Sequence, residues 1–135
     1  MGKARALIDT DVVSFLFNKH PLGISYRQYL RKRTLCISFM TCAEIERGMR
    51  QADWGEHRKN EMRDFIADKF TVISSNDPIC IKWGDILVLQ LKKGRPISFA
   101  DAWIAATALV YKIPIITHNR KHFETIDELK VISGS

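Results

Sequence analysis

The 135-residue chain reads as an α/β fold, a three-layer sandwich around a mostly parallel sheet of four to five strands. Two observations predict it. Short apolar β-like runs alternate with amphipathic helical stretches along the whole chain, and the helical stretches carry recognisable start and stop signals. The length suits one compact domain over residues 1–135, and the hydrophobic content of 46% is enough to build its core.

A strand is expected at about residues 4 to 9, followed by a short helix from Asp11 to Phe17 with its apolar residues on one side. Pro21 and Gly23 read as loop punctuation. A second helix, Ser25 to about Arg33, carries Tyr26, Tyr29 and Leu30 at helical spacing, and the run Leu35–Phe39 is the next strand. Thr41-Cys42-Ala43-Glu44 has the form of a capping box, with Glu44 as N3 partner of Thr41, and opens a helix ending near Trp54-Gly55.

Residues 56–70 are helical, with Met62, Phe65, Ile66 and Phe70 as the inward stripe, and Thr71–Ser74 is a short strand. Asp77 reads as the N-cap and Pro78 as the first turn of a helix that runs to Lys93 and stops at Gly94. Ser98 caps the next helix, apolar almost throughout from Trp103 to Val110. Ile113–Thr117 is expected as a buried parallel strand and Leu129–Ile132 as a last β-like piece.

Composition excludes several classes. No run approaches the roughly 20 apolar residues of a membrane span, and the N-terminus lacks a secretory pattern, so a cytoplasmic location is expected. The three cysteines, Cys36, Cys42 and Cys80, lie in apolar segments without C-x-x-C spacing and read as reduced core thiols. The four histidines form no zinc pattern. A net charge of +6 suits a phosphate-rich partner.

Three acids, Asp9, Glu44 and Asp101, fall where predicted helices begin, the end of a parallel sheet at which ligands and metals are held. Each alone has a structural explanation. Glu44 and Asp101 fit as N3 partners of Thr41 and Ser98, and Asp9 or Asp11 fits as cap of the first helix. Their apolar settings argue for more: Asp101 is flanked by Phe99, Ala100, Ala102 and Trp103, and a carboxylate there is costly unless something pairs with it. Carboxylates about 4 Å apart repel by about 4 kcal/mol at an effective dielectric of 20. A cation or a proton relieves that, and magnesium or manganese is the natural cation for oxygen ligands without His or Cys. Such a site activates water and stabilises charge in phosphoryl displacement.

Four motifs in order, Leu7-Ile8-Asp9-Thr10-Asp11-Val12-Val13, Thr41-x-x-Glu44-Ile45-x-x-Gly48, Phe99-Ala100-Asp101-Ala102-Trp103-Ile104-Ala105-Ala106, and Ile116-Thr117-His118-Asn119-x-x-His122-Phe123, resemble those of the PIN-domain ribonucleases. The likeness is greatest to the VapC-like toxins of toxin–antitoxin pairs and covers almost the whole chain. The resemblance implies a Mg2+- or Mn2+-dependent endoribonuclease whose substrate is RNA, neutralised by a cognate antitoxin and assembled as a homodimer. It implies Asp9 and Asp101 as metal ligands, Glu44 as helper through water or as general base, and Asn119 as a further catalytic residue supplying a neutral oxygen or orienting water. Thr117 matches a supporting polar residue. The chain departs from the pattern at His122, which stands where many members carry a fourth acid; this puts a second metal in doubt and leaves His122 to contact a phosphate or to have no role.

Arg120 and Lys121 add positive charge near these acids, and Arg27, Arg31, Lys32 and Arg33 interleave with Tyr26 and Tyr29, either as an RNA-contacting mixture or as a solvated face with tyrosines in the core. Lys92, Lys93 and Arg95 form a further basic group. Phe15, Phe17, Leu22 and Trp54 sit near helix ends as partner-surface or core candidates. Two other readings compete with the nuclease. One is a non-catalytic RNA-binding module that keeps the fold. The other is a small phosphatase of the haloacid dehalogenase type, with Asp9 as nucleophile and Asp11 as acid/base in a D-x-D motif, against which the short length counts.

Overall fold

Five parallel strands in the order β3-β2-β1-β4-β5 form the middle layer of the protein, a computed structural model describing residues 3–135. Met1 and Gly2, the first two residues of the expected domain, lie outside the described residues. The strands are β1 (Ala4–Ile8), β2 (Arg33–Ser38), β3 (Thr71–Ile73), β4 (Ile115–Ile116) and β5 (Val131–Ile132). The helices are α1 (Thr10–Phe17), α2 (Pro21–Leu30), α3 (Phe39–Gln51), α4 (Glu56–Lys69), α5 (Asp77–Lys92), α6 (Phe99–Tyr111) and α7 (Arg120–Phe123). The expected three-layer sandwich is the fold observed.

The period-2 geometry of a strand divides each apolar run between the two faces. Leu7, Cys36 and Ile115 point into a core with Ile79 and Ile86 of α5 and Ala102, Ile104, Ala105 and Ala108 of α6. Ala6, Ile8, Ile37 and Ile116 point the other way, onto Val12 and Val13 of α1, Tyr26 of α2, Ile45 and Met49 of α3 and Met62 of α4. Ala6, Leu7, Ile8, Ile115 and Ile116 are fully buried, which is why the central strands read as unbroken apolar sequence.

Several expectations are corrected. Helix α2 starts at Pro21, with His20 Nδ1 accepting from Leu22 N–H at 3.1 Å, and ends at Leu30; Pro21 is a helix opener there because its missing N–H costs nothing in a first turn. Gly23 lies inside that helix because a Cβ would stand 3.0 Å from the Phe15 carbonyl oxygen, so it permits close packing of α2 on α1. The cap of α3 is Ser38, whose Oγ accepts from Met40 N–H at 3.0 Å, three residues before the expected Thr41. The chain enters α3 directly from β2, so Thr41 and Glu44 are one turn in and free for other contacts. Asn76, not Asp77, caps α5, its Oδ1 accepting from Ile79 N–H at 3.0 Å. The expected strand Ile113–Thr117 shrinks to two residues, and α7, too short for a periodic signal, follows it.

Other details stand as read. Ser98 caps α6 by accepting from Asp101 N–H at 3.1 Å, and Gly94 beyond α5 adopts φ +71°. All three cysteines are free, but Cys80 is exposed rather than core. Phe15, Phe17, Leu22 and Trp54 are half-buried, with Phe17 stacked on Trp54 at 5.9 Å and Arg58 over the Trp54 ring at 3.7 Å. Among the described residues no helix is long and apolar enough to cross a membrane.

Candidate active site

The strand order reverses direction at β1 and β4: from β1 the chain winds outward to β2 and β3, then crosses back to β4. That switch point opens a crevice beyond the carboxyl ends of the two strands. Asp9 is the first residue past β1 and Thr117 the first past β4, and Asp9 N–H donates to Ile116 O at 2.9 Å, which locks the two ends together. The Thr117 hydroxyl donates to Asp9 Oδ2 at 2.7 Å, and Thr10 N–H donates to Asp9 Oδ1 at 2.8 Å. Asp9 therefore caps α1 and faces the crevice at once.

Asp9 is only 5% exposed, and this burial, with Asp11 and then Asp101 nearby, pushes its pKa from an ordinary 3.8 to about 7 despite the hydrogen bonds from Thr117 and Thr10. Glu44 is half-buried on α3. Thr10 Oγ1 donates to Glu44 Oε1 at 2.7 Å and lies 3.1 Å from Thr41 Oγ1. Burial raises the pKa of Glu44, and Asp101 and Asp11 raise it further. Asp101 comes in from the first turn of α6, and its charge acts on Asp9, Asp11 and Glu44 alike. The three sequence-predicted acids thus converge. Glu44 is held by Thr10 across the fold instead of by a capping box.

Asp11 is a fourth acid at the same place, which the sequence offered only as a helix cap, within the first motif and in the D-x-D spacing. Its Oδ1 accepts from Val12 N–H at 2.7 Å, and its Oδ2 accepts from His118 N–H at 3.1 Å and from Asn119 Nδ2 at 3.0 Å. Burial raises its pKa as well. Asn119 is therefore tied to Asp11, and its N–H donates to Thr117 Oγ1 at 3.0 Å, so it buttresses the loop after β4. His122 does not stand unengaged: its Nδ1 lies 3.1 Å from Asp101 Oδ2. Tyr26 is fully buried, its hydroxyl 2.7 Å from His118 Nδ1 and 3.2 Å from the Thr117 carbonyl it donates to, so this tyrosine supports the site from the core and stacks on no base.

The donor set is all carboxylate oxygen, and each Asp9 oxygen keeps a lone pair beyond its one hydrogen bond. Oxygen-rich, negatively charged and half-dry, it fits a hard divalent cation. Among the described residues no three His, Cys, Asp or Glu side chains stand close enough to hold one ion together.

The model of the PIN domain family matches residues 6–129, nearly the full length of the chain. The chain belongs to the PIN-domain family. Ribonuclease VapC1 of Haemophilus influenzae (strain R2866) is 32% identical over 128 residues, 92% of this chain and 93% of that protein. The solved structure of VapBC-1 from nontypeable Haemophilus influenzae is 29% identical to this PIN domain and covers 96% of it and 97% of that chain, with a TM-score of 0.75. A second, VapBC2 from Rickettsia felis bound to a DNA fragment from its promoter, superposes at a TM-score of 0.84 with 21% identity, covering 97% of the PIN domain and 99% of that chain. Membership displaces the phosphatase reading: the acids here sit at the switch point of a PIN sheet.

Proposed function

We propose that this PIN domain is a metal-dependent endoribonuclease toxin that hydrolyses RNA phosphodiester bonds and is neutralised by a cognate antitoxin. The observation that carries the reading is the gathering of Asp9, Asp11, Glu44 and Asp101 at one switch point, where burial and like charge leave Asp9 at about 7. The ribonuclease name of the Haemophilus influenzae relative and its assembly as VapBC-1 agree with it.

Asp9 and Asp101 are the residues that would hold Mg2+ or Mn2+, which when bound supplies charge neutralisation at the phosphate and a more acidic water. Glu44 keeps Oε1 on the Thr10 hydroxyl, leaving Oε2 to take a proton from water; its raised pKa moves it toward the range useful to a general base. Asp11 and Asn119 hold the loop that carries Thr117, and Thr117 orients Asp9. Arg120 and Lys121, on α7 beside His122, present positive charge for the RNA backbone. The antitoxin and a second copy of the chain are the proposed protein partners; exposed Ile81, Val88 and Leu91, spaced along α5, provide apolar surface for association.

The test is RNA cleavage by the purified protein with magnesium or manganese, beside Asp9→Asn and Asp101→Asn. Cleavage only by the unsubstituted protein is expected; equal cleavage by all three sinks the reading. Calorimetric titration with manganese distinguishes the alternative of a non-catalytic RNA-binding module, in which RNA binds while the acids take up no metal.

A further inference from the structure

Beside Asp101 lies a cavity of about 380 Å³ between the end of α5, the start of α6 and α7. Its size is that of a small-molecule pocket and suits one nucleotide rather than a helix of RNA. Two cationic side chains, Arg95 and Lys121, line it together with His122. Arg95 and Lys121 are exposed, and no carboxylate among the described residues is within ion-pair distance of either. Their charge is therefore available to a guest.

The cavity also has a buried polar lining. Gln90 is 97% buried, being only 3% exposed, and yet lines it. Its Nε2 donates to Thr125 Oγ1 at 2.9 Å and to the Arg95 carbonyl at 3.4 Å. Both bonds use the amide nitrogen, which fixes the side chain and leaves the amide oxygen as an acceptor. A glutamine buried on the same helix as Ile79 and Ile86 is costly, and two hydrogen bonds hold it still. Ile97 adds an apolar surface for a ring, and the Asp101 carboxylate closes the side toward the acids.

We propose that this cavity is a mononucleotide subsite for the RNA residue next to the scissile phosphate, with Arg95 and Lys121 on its phosphate and Gln90 accepting from an N–H on its base. The inference rests on the ribonuclease reading for the source of the nucleotide, and it adds the residues that select which base adjoins the cut. Arg95 and Lys121 contribute sequence-independent attachment, whereas Gln90 contributes discrimination.

The four ribonucleoside 5′-monophosphates, ribose 5-phosphate and inorganic phosphate are titrated into the metal-free full chain and followed by the NMR shifts of the Gln90 side-chain amide and the Ile97 and Thr125 backbone amides. At least one nucleotide should move these signals and bind at least fivefold tighter than ribose 5-phosphate. Arg95→Ala and Lys121→Ala, both at exposed positions that leave the core intact, should each weaken it about fivefold. Each should also lower the log–log salt slope of single-stranded RNA binding by about 0.7, measured in the Asp9→Asn background to prevent cleavage. Nucleotides that bind no better than ribose 5-phosphate, shifts that map elsewhere, or variants that bind unchanged overturn the subsite. Cleavage assayed on the same preparation separates the two readings: cutting without cavity binding removes the subsite alone, and cavity binding without cutting removes the nuclease assignment while the nucleotide site stands.

Discussion

Replacing Asp9 by Asn should make the metal-free protein more stable at alkaline pH while abolishing its activity. Burial and the neighbouring acids hold Asp9 at about 7 against an ordinary 3.8. At about 1.4 kcal/mol per tenfold change, the ionised form therefore costs the fold about 4 kcal/mol above neutral pH. The native state binds more protons than the unfolded chain between those two values, so stability falls as pH rises from about 4 to about 7 and the full penalty is present above it. Asn removes the charge and keeps the bond from Thr10 N–H, but turns an amide NH2 toward the Thr117 hydroxyl, a loss of about 1 to 1.5 kcal/mol. A net gain of about 2.5 to 3 kcal/mol remains, or about 10 °C in Tm for a chain of this size. The assay is thermal unfolding of both proteins in a chelator at pH 5 and pH 8, repeated at pH 8 with excess Mn2+. The gain should appear at pH 8, vanish at pH 5 where most of the penalty is gone, and reverse with Mn2+, which stabilises only a protein that binds it. A variant less stable than the parent at pH 8 in chelator, or an equal gap at both pH values, refutes the assignment of Asp9 as a repelled, metal-seeking carboxylate.

Glu44→Gln keeps the acceptor for Thr10 and removes the proton-accepting oxygen, so single-turnover RNA cleavage should fall by about 10²- to 10⁴-fold while Mn2+ titration at Asp9 and Asp101 persists. Asn76→Ala should cost about 1 kcal/mol in denaturant unfolding and Asp77→Ala only a few tenths, because Asn76 caps α5; the reverse order would restore the cap to Asp77. Gly23→Ala should destabilise by about 1 to 3 kcal/mol, since the new methyl meets the Phe15 carbonyl oxygen at 3.0 Å and backbone must give way; a neutral change by thermal unfolding would show that α2 can shift.

Local physics made much of this protein legible from its sequence. Helix periodicity, the Ser98 cap and the Gly94 stop are properties of neighbouring residues, and the unbroken apolar runs of β1 and β4 reflect burial on both faces. The three acids were visible because carboxylates on apolar helix starts are costly. Where two local signals competed, sequence could not choose: Ser38 and Thr41 both suit a cap, and only the direct passage of β2 into α3 selects Ser38 and frees Glu44 for Thr10. The same limit applied to Asn76 and Asp77.

The tertiary structure alone decided what depends on distance through space. It brought Thr117 to Asp9 across 108 residues and Asn119 to Asp11 across the same separation, turning Asn119 into a support. It added Asp11 to the acids, set His122 against Asp101, and put Tyr26 in the core behind His118. Spacing along a chain encodes helix faces and strand faces, because those repeat every few residues. Sheet order does not repeat: the placing of β4 beside β1 is a global packing outcome, and the acid-lined crevice exists only where those two strand ends meet.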